Sequence, residues 1–284
     1  MGGIYWLASY PKSGNTWFRA FLQNLRNDSH TPVDINELST GLIASARVWL
    51  DEVLGFDTAE LSADEIELLR PYVYQWSLED DQVGYHKIHD AYTLTSECQP
   101  IVSKTGTLGA LYIIRNPLDI VSSLANHNSV SIDQAIEQMA SQNYALSNSK
   151  KGIGSQVKQN IYSWSEHVLS WVDEPNLNCL TLRYEDMSSS PIKSFTKAAQ
   201  FLGLPNDPGR IAKAVEFSSF KELAEQEKKG GFKETPIKTT RFFREGKSGG
   251  WRSELTGAQI DKVVASHNLV MRRYGYLNNK GEPI

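Results

Sequence analysis

Three short segments of the sequence combine side chains that bind anions or transfer protons. The first holds a lysine, two hydroxyl groups and a glycine within eight residues, Tyr10-Pro11-Lys12-Ser13-Gly14-Asn15-Thr16-Trp17. Lysine supplies positive charge, and glycine lets the backbone approach an anion closely. A helical pattern follows, and its first turn adds unpaired backbone N–H groups. The segment predicts a phosphate- or sulfate-binding loop, although a surface turn before a capped helix would use the same residues.

The second segment places an arginine at the end of an apolar strand and hydroxyl groups on the helix that follows, Arg115-Asn116-Pro117-Leu118-Asp119-Ile120-Val121-Ser122-Ser123. Arginine binds phosphate oxygens through charge-assisted hydrogen bonds, and ligands of α/β proteins bind beyond the carboxyl ends of the strands. Two such anion sites suit a single ligand with two phosphate-type groups. The alternative is that Arg115 pairs with a surface carboxylate while Asn116 and Pro117 only cap the helix.

The third segment, Gly84-Tyr85-His86-Lys87-Ile88-His89, predicts a strand that carries a proton-transfer group. Side chains alternate along a strand, so Lys87 and His89 share one face, whereas His86 and His89 do not. That placement argues against a metal site built from the two histidines. Histidine is suited to proton transfer near neutral pH, but a purely structural histidine is the alternative.

The elements that must position these segments alternate between strands and helices along the chain. Short strand patterns predict strands at 4–9, 84–88, 108–114 and 179–183. Helical patterns cover 15–25, 62–74, 131–147, 155–173, 190–202 and 256–274, and a further helix begins at 117. This order predicts one α/β domain over residues 1–284, with a central parallel sheet flanked by helices on both faces. Residues 228–250 are rich in Lys, Arg and Gly and predict a loop or lid.

The composition limits the partners. The chain of 284 residues has 29 Lys and Arg against 33 Asp and Glu, a formal net charge of -4 that disfavours nucleic acid as a partner. Cys98 and Cys179 are far apart and form no metal-ligand spacing. The sequence shows no signal-peptide pattern and no apolar run that would span a membrane. We therefore expect a cytoplasmic protein with no membrane partner and no bound metal.

The first segment resembles the 5′-phosphosulfate loop of sulfotransferases that use 3′-phosphoadenosine-5′-phosphosulfate (PAPS). The flanking residues from Ile4 to Lys12 resemble bacterial members of that family, including those that sulfate glycopeptide antibiotics. The resemblance implies a P-loop-like phosphosulfate-binding loop, PAPS as the donor and 3′-phosphoadenosine-5′-phosphate (PAP) as the product. It assigns cofactor binding here to six consecutive residues, Lys12, Ser13, Gly14, Asn15, Thr16 and Trp17.

The other segments resemble further motifs of the same family. Arg115 and Ser123 match the positions that bind the 3′-phosphate. The Lys-Ile-His sequence resembles the catalytic Lys-x-His, which implies that His89 is the general base and that Lys87 binds the sulfuryl group. Lys12 is the third expected catalytic residue, because the resemblance places its charge on the bridging oxygen.

Three weaker matches complete the predicted cofactor site. Tyr-Glu-Asp at 184–186 resembles a segment whose tyrosine approaches adenine, and Ser-Ser-Phe at 218–220 resembles an adenosine-contacting element. The residues from 244 to 251 resemble a basic loop that closes over the 3′-phosphate, but Glu245 stands in place of a lysine and Gly250 in place of an aspartate. These matches add Tyr184, Ser218, Phe220, Arg244, Glu245 and Gly246.

Two other functions fit parts of the pattern. A kinase would need the loop G-x-x-x-x-G-K-[ST], which the first segment lacks, and a magnesium ion. A nucleotide-binding module without catalysis would keep the anion loops but would not need Lys87 and His89. We expect a sulfotransferase whose acceptor is a small molecule with a hydroxyl or amine.

The sequence also bears on the acceptor pocket and on assembly. Aromatic residues from segments without a motif are expected to include its apolar wall: Trp49, Phe56, Tyr72, Tyr74, Trp76 and Phe232. Many relatives pair through an element with a central Thr-Val, whereas this chain has Thr256-Gly257 within 252–261. We therefore expect a monomer, or a dimer that does not form through residues 252–261.

Overall fold

The computed structural model describes residues 2–78, 81–148, 154–235, 241–243 and 246–284. Its strands are β1 (Gly3–Ser9), β2 (Val83–Ile88), β3 (Thr107–Ile114), β4 (Ala145–Leu146), β5 (Gln159–Asn160) and β6 (Cys179–Arg183). The first six helices are α1 (Asn15–Asn27), α2 (Arg47–Leu54), α3 (Ala63–Trp76), α4 (Pro117–Asn128), α5 (Ile132–Ala140) and α6 (Trp164–Val172). The remaining helices are α7 (Tyr184–Ser189), α8 (Pro191–Phe201), α9 (Pro208–Phe217), α10 (Phe220–Gly230), α11 (Trp251–Glu254) and α12 (Gly257–Arg273).

The central sheet has four strands within the described residues, in the order β2-β1-β3-β6. Strand β1 pairs in parallel with β2, in a register that runs from Gly3 opposite Val83 to Ala8 opposite Ile88. The two strands therefore end at the same edge of the sheet. Since parallel strands place their functional residues beyond their carboxyl ends, this register determines where Ser9 and His89 lie.

The two inner strands of the sheet, β1 and β3, are buried as nearly continuous runs, whereas β2 and β6 are only partly buried. In β1 the side chains of Trp6, Leu7 and Ala8 are fully buried, and in β3 every residue from Gly109 to Ile114 is buried. A parallel sheet covered by helices on both faces produces this pattern, whereas a sheet with one face in water alternates. The predicted α/β fold with helices on both faces of a parallel sheet is confirmed.

Capping residues determine where three helices begin. Ser62 and Glu65 form a capping box at the start of α3, and Ser163 and Glu166 form one at the start of α6. Thr256 caps α12 in the same way, with Gln259 as its partner. Each box satisfies two backbone N–H groups that the first helical turn leaves unpaired.

Three sequence-based boundaries were wrong. The helix predicted at 131–147 ends at Ala140, because Ala145–Leu146 forms a strand antiparallel to Gln159–Asn160. That pairing also delays the helix predicted from 155, which begins only at Trp164. The loop predicted from 228 begins later, since α10 continues to Gly230.

The described chain divides into two compact units. Unit 1 contains Met1–Tyr10, Gly41–Tyr112 and Ser141–Leu180, and unit 2 contains Pro11–Thr40, Ile113–Ala140 and Thr181–Ile284. Unit 1 holds β1, β2 and helices α2, α3 and α6. Unit 2 holds α1, α4, α5 and all helices from α7 onward. Within the described residues, no helix is both long and apolar enough to cross a membrane.

Candidate active site

The loop that joins β1 to α1 has an unusual backbone. Lys12 adopts a left-handed conformation with φ 70°, and Gly14 does so with φ 103°. A left-handed lysine is strained, and such strain is maintained where the surrounding structure enforces it, commonly at ligand sites. Turns of this kind make the concave arrays of backbone N–H groups that bind anions.

The start of α1 adds to the anion site. Gly14 is the N-cap, no side chain caps the helix among the described residues, and the first turn contains no acidic residue. Ser13 is 1% exposed, and its hydroxyl has no hydrogen-bond partner in the described part of the chain. A buried polar group without a partner costs free energy. The loop therefore has the hydroxyl, charge and helix terminus that a phosphosulfate requires.

Tyr184 joins the first and second predicted segments within unit 2. A Cβ atom added to Gly14 would lie 2.7 Å from the Tyr184 ring. Trp17 packs edge-on against the same ring at 5.6 Å, and the Arg115 guanidinium lies 4.3 Å from its centroid. Burial raises the pKa of the Tyr184 phenol. Only glycine fits at position 14, because any side chain there would displace the tyrosine.

Arg115 connects the loop between β1 and α1 with residues 246–251, the described part of the basic loop, which we call the basic segment. Its Nη1 donates to the Lys12 carbonyl at 3.2 Å, and its Nη2 donates to the Lys247 carbonyl at 3.2 Å. Its Nε is buried and has no hydrogen-bond partner among the residues described. The structure therefore brings the predicted 5′ and 3′ binding segments into contact, with one guanidinium N–H still to be satisfied.

Asp119, in the first turn of α4, anchors the basic segment. The Asp119 carboxylate accepts hydrogen bonds from the backbone N–H groups of Gly249 at 2.8 Å and Trp251 at 3.2 Å. Gly246 is left-handed, and a Cβ atom there would lie 2.2 Å from the Phe220 ring. Gly246 and Phe220, both predicted cofactor residues, are thus in contact.

Glu227 on α10 anchors the residues before that segment. Its carboxylate accepts from the backbone N–H of Phe242 at 2.6 Å and of Phe243 at 2.9 Å. Lys12 Nζ lies 3.9 Å from the centroid of the Phe242 ring. Carboxylates on α10 and α4 therefore hold the residues on both sides of 244–245. The ring of Phe242 also contacts the lysine of the loop after β1.

Four predicted cofactor residues need separate comment. Arg244 and Glu245 lie outside the described residues. Ser218 is fully buried, and its hydroxyl donates to the Ala214 carbonyl at 2.8 Å, so it caps α9. Ser123 is half-buried on α4. The nucleotide contacts of all four stay predictions.

His89 lies in unit 1, directly after the last residue of β2. Its Nδ1 is 2.8 Å from the Ser9 carbonyl oxygen and 3.4 Å from the Ser9 hydroxyl. Because a carbonyl only accepts, Nδ1 carries the proton, and the basic lone pair of the neutral ring is at Nε2. Lys87 lies two residues earlier on β2, half-buried. This tautomer is the one that a general base acting through Nε2 needs.

His86, the other histidine of that strand, has a structural environment. It stacks on Trp49 at 4.2 Å, and its Nδ1 donates to the Leu42 carbonyl at 2.9 Å. Burial lowers the pKa of His86.

Three aromatic residues of the predicted acceptor wall are buried in the cores of their units, namely Trp49, Tyr74 and Phe232. The other three are exposed, namely Phe56, Tyr72 and Trp76.

A buried ion pair follows His89 in the sequence. Asp90 accepts two hydrogen bonds from Arg70 at 2.7 Å each, and both side chains are at most 3% exposed. Tyr74 accepts from Arg70 Nε and donates to the Ala44 carbonyl. Sequence reasoning missed the pair because its members lie on different elements, 20 residues apart. His167, which contacts the His89 backbone, could not be found from the sequence for the same reason.

No group of three or more His, Cys, Asp or Glu residues that could hold a metal ion occurs in the described part of the chain. Lys12 and Arg115 supply positive charge at the loop. Metal independence stays a prediction.

The fold and the loop define an α/β protein with a candidate anion-binding site at the end of its first strand. The family profile described as "Sulfotransferase domain" matches residues 4–275. The chain therefore belongs to the sulfotransferase family, the enzymes that depend on PAPS. This match spans the sequence containing all the predicted motifs.

Curated relatives and solved structures agree with this assignment. Flavonol 3-sulfotransferase of Flaveria bidentis is 25% identical over 276 residues, covering 90% of this chain and 78% of the relative. Cytosolic sulfotransferase 8 of Arabidopsis thaliana is 22% identical over 270 residues, covering 90% and 73%. Mouse sulfotransferase SULT7A1 complexed with PAP superimposes with a TM-score of 0.59 at 21% identity, covering 98% of this chain and 87% of that one. The structural match shows the shared fold.

Proposed function

We propose that residues 1–284 act as one sulfotransferase domain that transfers the sulfuryl group of PAPS to a hydroxyl or amine of a small molecule. When bound, PAPS supplies the sulfuryl group and PAP is the leaving product. The observation that carries the proposal is the His89 tautomer, because the bond from Nδ1 to the Ser9 carbonyl leaves Nε2 as the basic nitrogen.

The nucleotide is assigned to unit 2. The 5′ end is held by the loop from Lys12 to Trp17, where the Ser13 hydroxyl and the uncapped start of α1 supply hydrogen bonds. Arg115 supplies charge for the 3′-phosphate, together with Ser123 and Gly246. The adenosine contacts are assigned to Tyr184, Ser218 and Phe220. The charge contact of the basic loop is assigned to Arg244, with Glu245 beside it in place of the family's lysine.

The catalytic roles divide among three residues. His89 accepts the proton of the acceptor group as the nucleophile attacks. Lys12 and Lys87 stabilise negative charge that develops on oxygen, since fixed positive groups lower the free energy of a charged transition state. The protein otherwise contributes by positioning the reactants, as in phosphoryl transfer.

The acceptor is a small molecule rather than a macromolecule. One relative is named for flavonol, and the chain's net charge of -4 is unfavourable for nucleic acid. We assign the protein to the cytoplasm, with no membrane partner and no metal. We expect a monomer, or a dimer formed outside 252–261, because Gly257 lacks the valine side chain that the corresponding interface of many relatives uses.

Incubation with radiolabelled PAPS and a panel of phenols, alcohols, amines and glycopeptides tests the proposal. We expect label in at least one acceptor, with stoichiometric PAP and no loss of rate in EDTA. Labelled ATP serves as the control donor. Transfer from ATP that requires magnesium would favour the kinase, and tight PAP binding without turnover on any acceptor would favour the non-catalytic module.

A further inference from the structure

A buried histidine on α6 contacts the backbone of His89 within unit 1. His167 is 0% exposed, and its Nε2 lies 3.0 Å from the His89 carbonyl oxygen. Because that oxygen only accepts, Nε2 of His167 carries a proton and donates. The His89 carbonyl therefore has a side-chain partner on helix α6, 78 residues away in sequence.

The other ring nitrogen of His167 is also satisfied. Its Nδ1 lies 2.8 Å from the Tyr112 hydroxyl, which must donate because the neutral ring carries its proton on Nε2. Burial lowers the pKa of His167 to about 4, so the ring is neutral near pH 7. A chain of two hydrogen bonds thus runs from Tyr112 through His167 to the backbone of His89.

The residue after His89 is fixed from the same helix. Trp171, one turn after His167 on α6, donates from Nε1 to the Asp90 carbonyl at 2.9 Å. The Asp90 carboxylate is held by Arg70 through two hydrogen bonds. Two successive carbonyls, at positions 89 and 90, are therefore each bound by a ring N–H from α6, while the His89 side chain donates to Ser9.

We infer that His167 is a positioning residue, which sets the backbone of His89 so that the imidazole keeps its bond from Nδ1 to the Ser9 carbonyl and presents Nε2 as the base. The inference rests on the proposed function of His89. A histidine suits this place because its two nitrogens accept from one group and donate to another at opposite edges of one rigid ring.

Unit 2 contains a matched control. His267 on α12 is 2% exposed, and burial lowers its pKa to about 4 as well. It has no assigned part in binding or catalysis. Replacing either histidine by phenylalanine keeps an aromatic ring of similar size in a core, so His267→Phe controls for the loss of a buried histidine as such.

A double-mutant cycle with His89 tests the inference in the full-length enzyme. We expect His167→Phe to lower kcat by at least about 10-fold, with the affinity for PAP unchanged within about 2-fold, and His267→Phe to leave kcat unchanged. His167→Gln retains an N–H donor and should restore most of the activity. In a His89→Ala background, His167→Phe should have no further effect. An equal loss of kcat in both backgrounds, or none in either, would overturn the inference.

A spectroscopic measurement needs no acceptor. In protein labelled with nitrogen-15 at histidine, we expect the His89 ring of the wild type to be the neutral tautomer protonated at Nδ1, assigned by comparison with His89→Ala. In His167→Phe this signal should become a mixture of tautomers. The same pure tautomer in the variant would contradict the inference. If His167→Phe does not fold, Tyr112→Phe and His167→Gln are measured, and we expect a smaller shift of the same kind for Tyr112→Phe.

The two claims fail differently. If His89→Ala turns over at the wild-type rate, the proposed general base is wrong whatever His167 does. If His89→Ala is inactive but folded His167→Phe is fully active with an unchanged His89 signal, only the positioning role of His167 is wrong.

Discussion

Lys12 and Arg115 carry the charge of the proposed nucleotide site. Replacing either by alanine should weaken PAP binding by about 1.5 to 3 kcal/mol, the usual contribution of a hydrogen bond to a charged group. We expect Arg115→Ala to have the larger effect, because it also removes the bonds to the carbonyls of Lys12 and Lys247. Titration calorimetry at one fixed salt concentration measures both.

The matched control is Lys193→Ala, which removes an exposed lysine from α8 in the same unit. It changes the net charge by the same amount without touching the site. If Lys193→Ala weakened binding as much as Lys12→Ala, the effect would come from overall charge and the site would be misplaced.

His167 and His267 should make the fold sensitive to acid. Burial lowers both pKa values from 6.5 to about 4 in the folded state. Between pH 6.5 and pH 4 the unfolded chain binds more protons than the folded chain does. The stability that each neutral, buried histidine contributes is therefore fully present above pH 6.5 and is lost as the pH falls toward 4. Each histidine should destabilise the fold by about 2 kcal/mol between about pH 7.5 and about pH 5.

Urea unfolding of the wild type and His267→Phe across this range isolates one histidine from the carboxylates that titrate nearby. We expect the free energy of unfolding to fall less steeply in the variant, by about 2 kcal/mol over the range. Parallel curves for the two proteins would show that His267 is not buried in its neutral form.

At the scale of elements, Asp119 attaches the basic segment to the first turn of α4. Asp119→Asn removes the charge and one of the two acceptors, so the segment near Gly249 and Trp251 should detach more often. We expect faster tryptic cleavage after Lys247 and PAP binding weaker by about 1 to 3 kcal/mol. Saturating PAP should slow the cleavage in both proteins.

Asp261→Asn, which changes an exposed carboxylate on α12, is the control for lost charge. Equal cleavage rates in the wild type and Asp119→Asn would show that the two hydrogen bonds do not hold the segment.

The strands and the local signals could be predicted from the sequence. The strand patterns predicted β1, β2, β3 and β6 within one residue. The signal was clearest for β1 and β3, because a buried parallel strand needs continuous apolar side chains. The Ser62 and Glu65 pair marked the start of α3, and the same signal at Ser163 and Glu166 would have corrected the start of α6. The loop from Lys12 to Trp17 was identified through its motif.

The remaining features depend on contacts between distant parts of the chain. The pairing of β4 with β5 replaced part of a predicted helix, and no local period reveals that Ala145 pairs with Asn160 and Leu146 with Gln159. Asp119 and Glu227 hold backbone N–H groups rather than side chains, so no residue type in the partner segment marks the contact. The bond from His167 to His89 likewise ends on a carbonyl.

At the scale of the whole molecule, ligand binding should stabilise the native state. A ligand that binds only the folded chain at about 100 times its Kd adds about 2.7 kcal/mol, so PAP should raise the Tm measurably. Adenosine, which lacks both phosphate groups, is the control ligand. An equal shift with adenosine, or none with PAP, would contradict the assignment of the anion loop.

The central claim is that His89 is the general base of a sulfuryl transfer. The most direct test compares kcat of the wild type and His89→Ala with radiolabelled PAPS and an acceptor from the panel, alongside the Tm shift caused by PAP. We predict that kcat falls by roughly 10² to 10⁴, while the Tm shift is preserved because the nucleotide is assigned to other residues. A folded His89→Ala enzyme that binds PAP and turns over near the wild-type rate would contradict the claim.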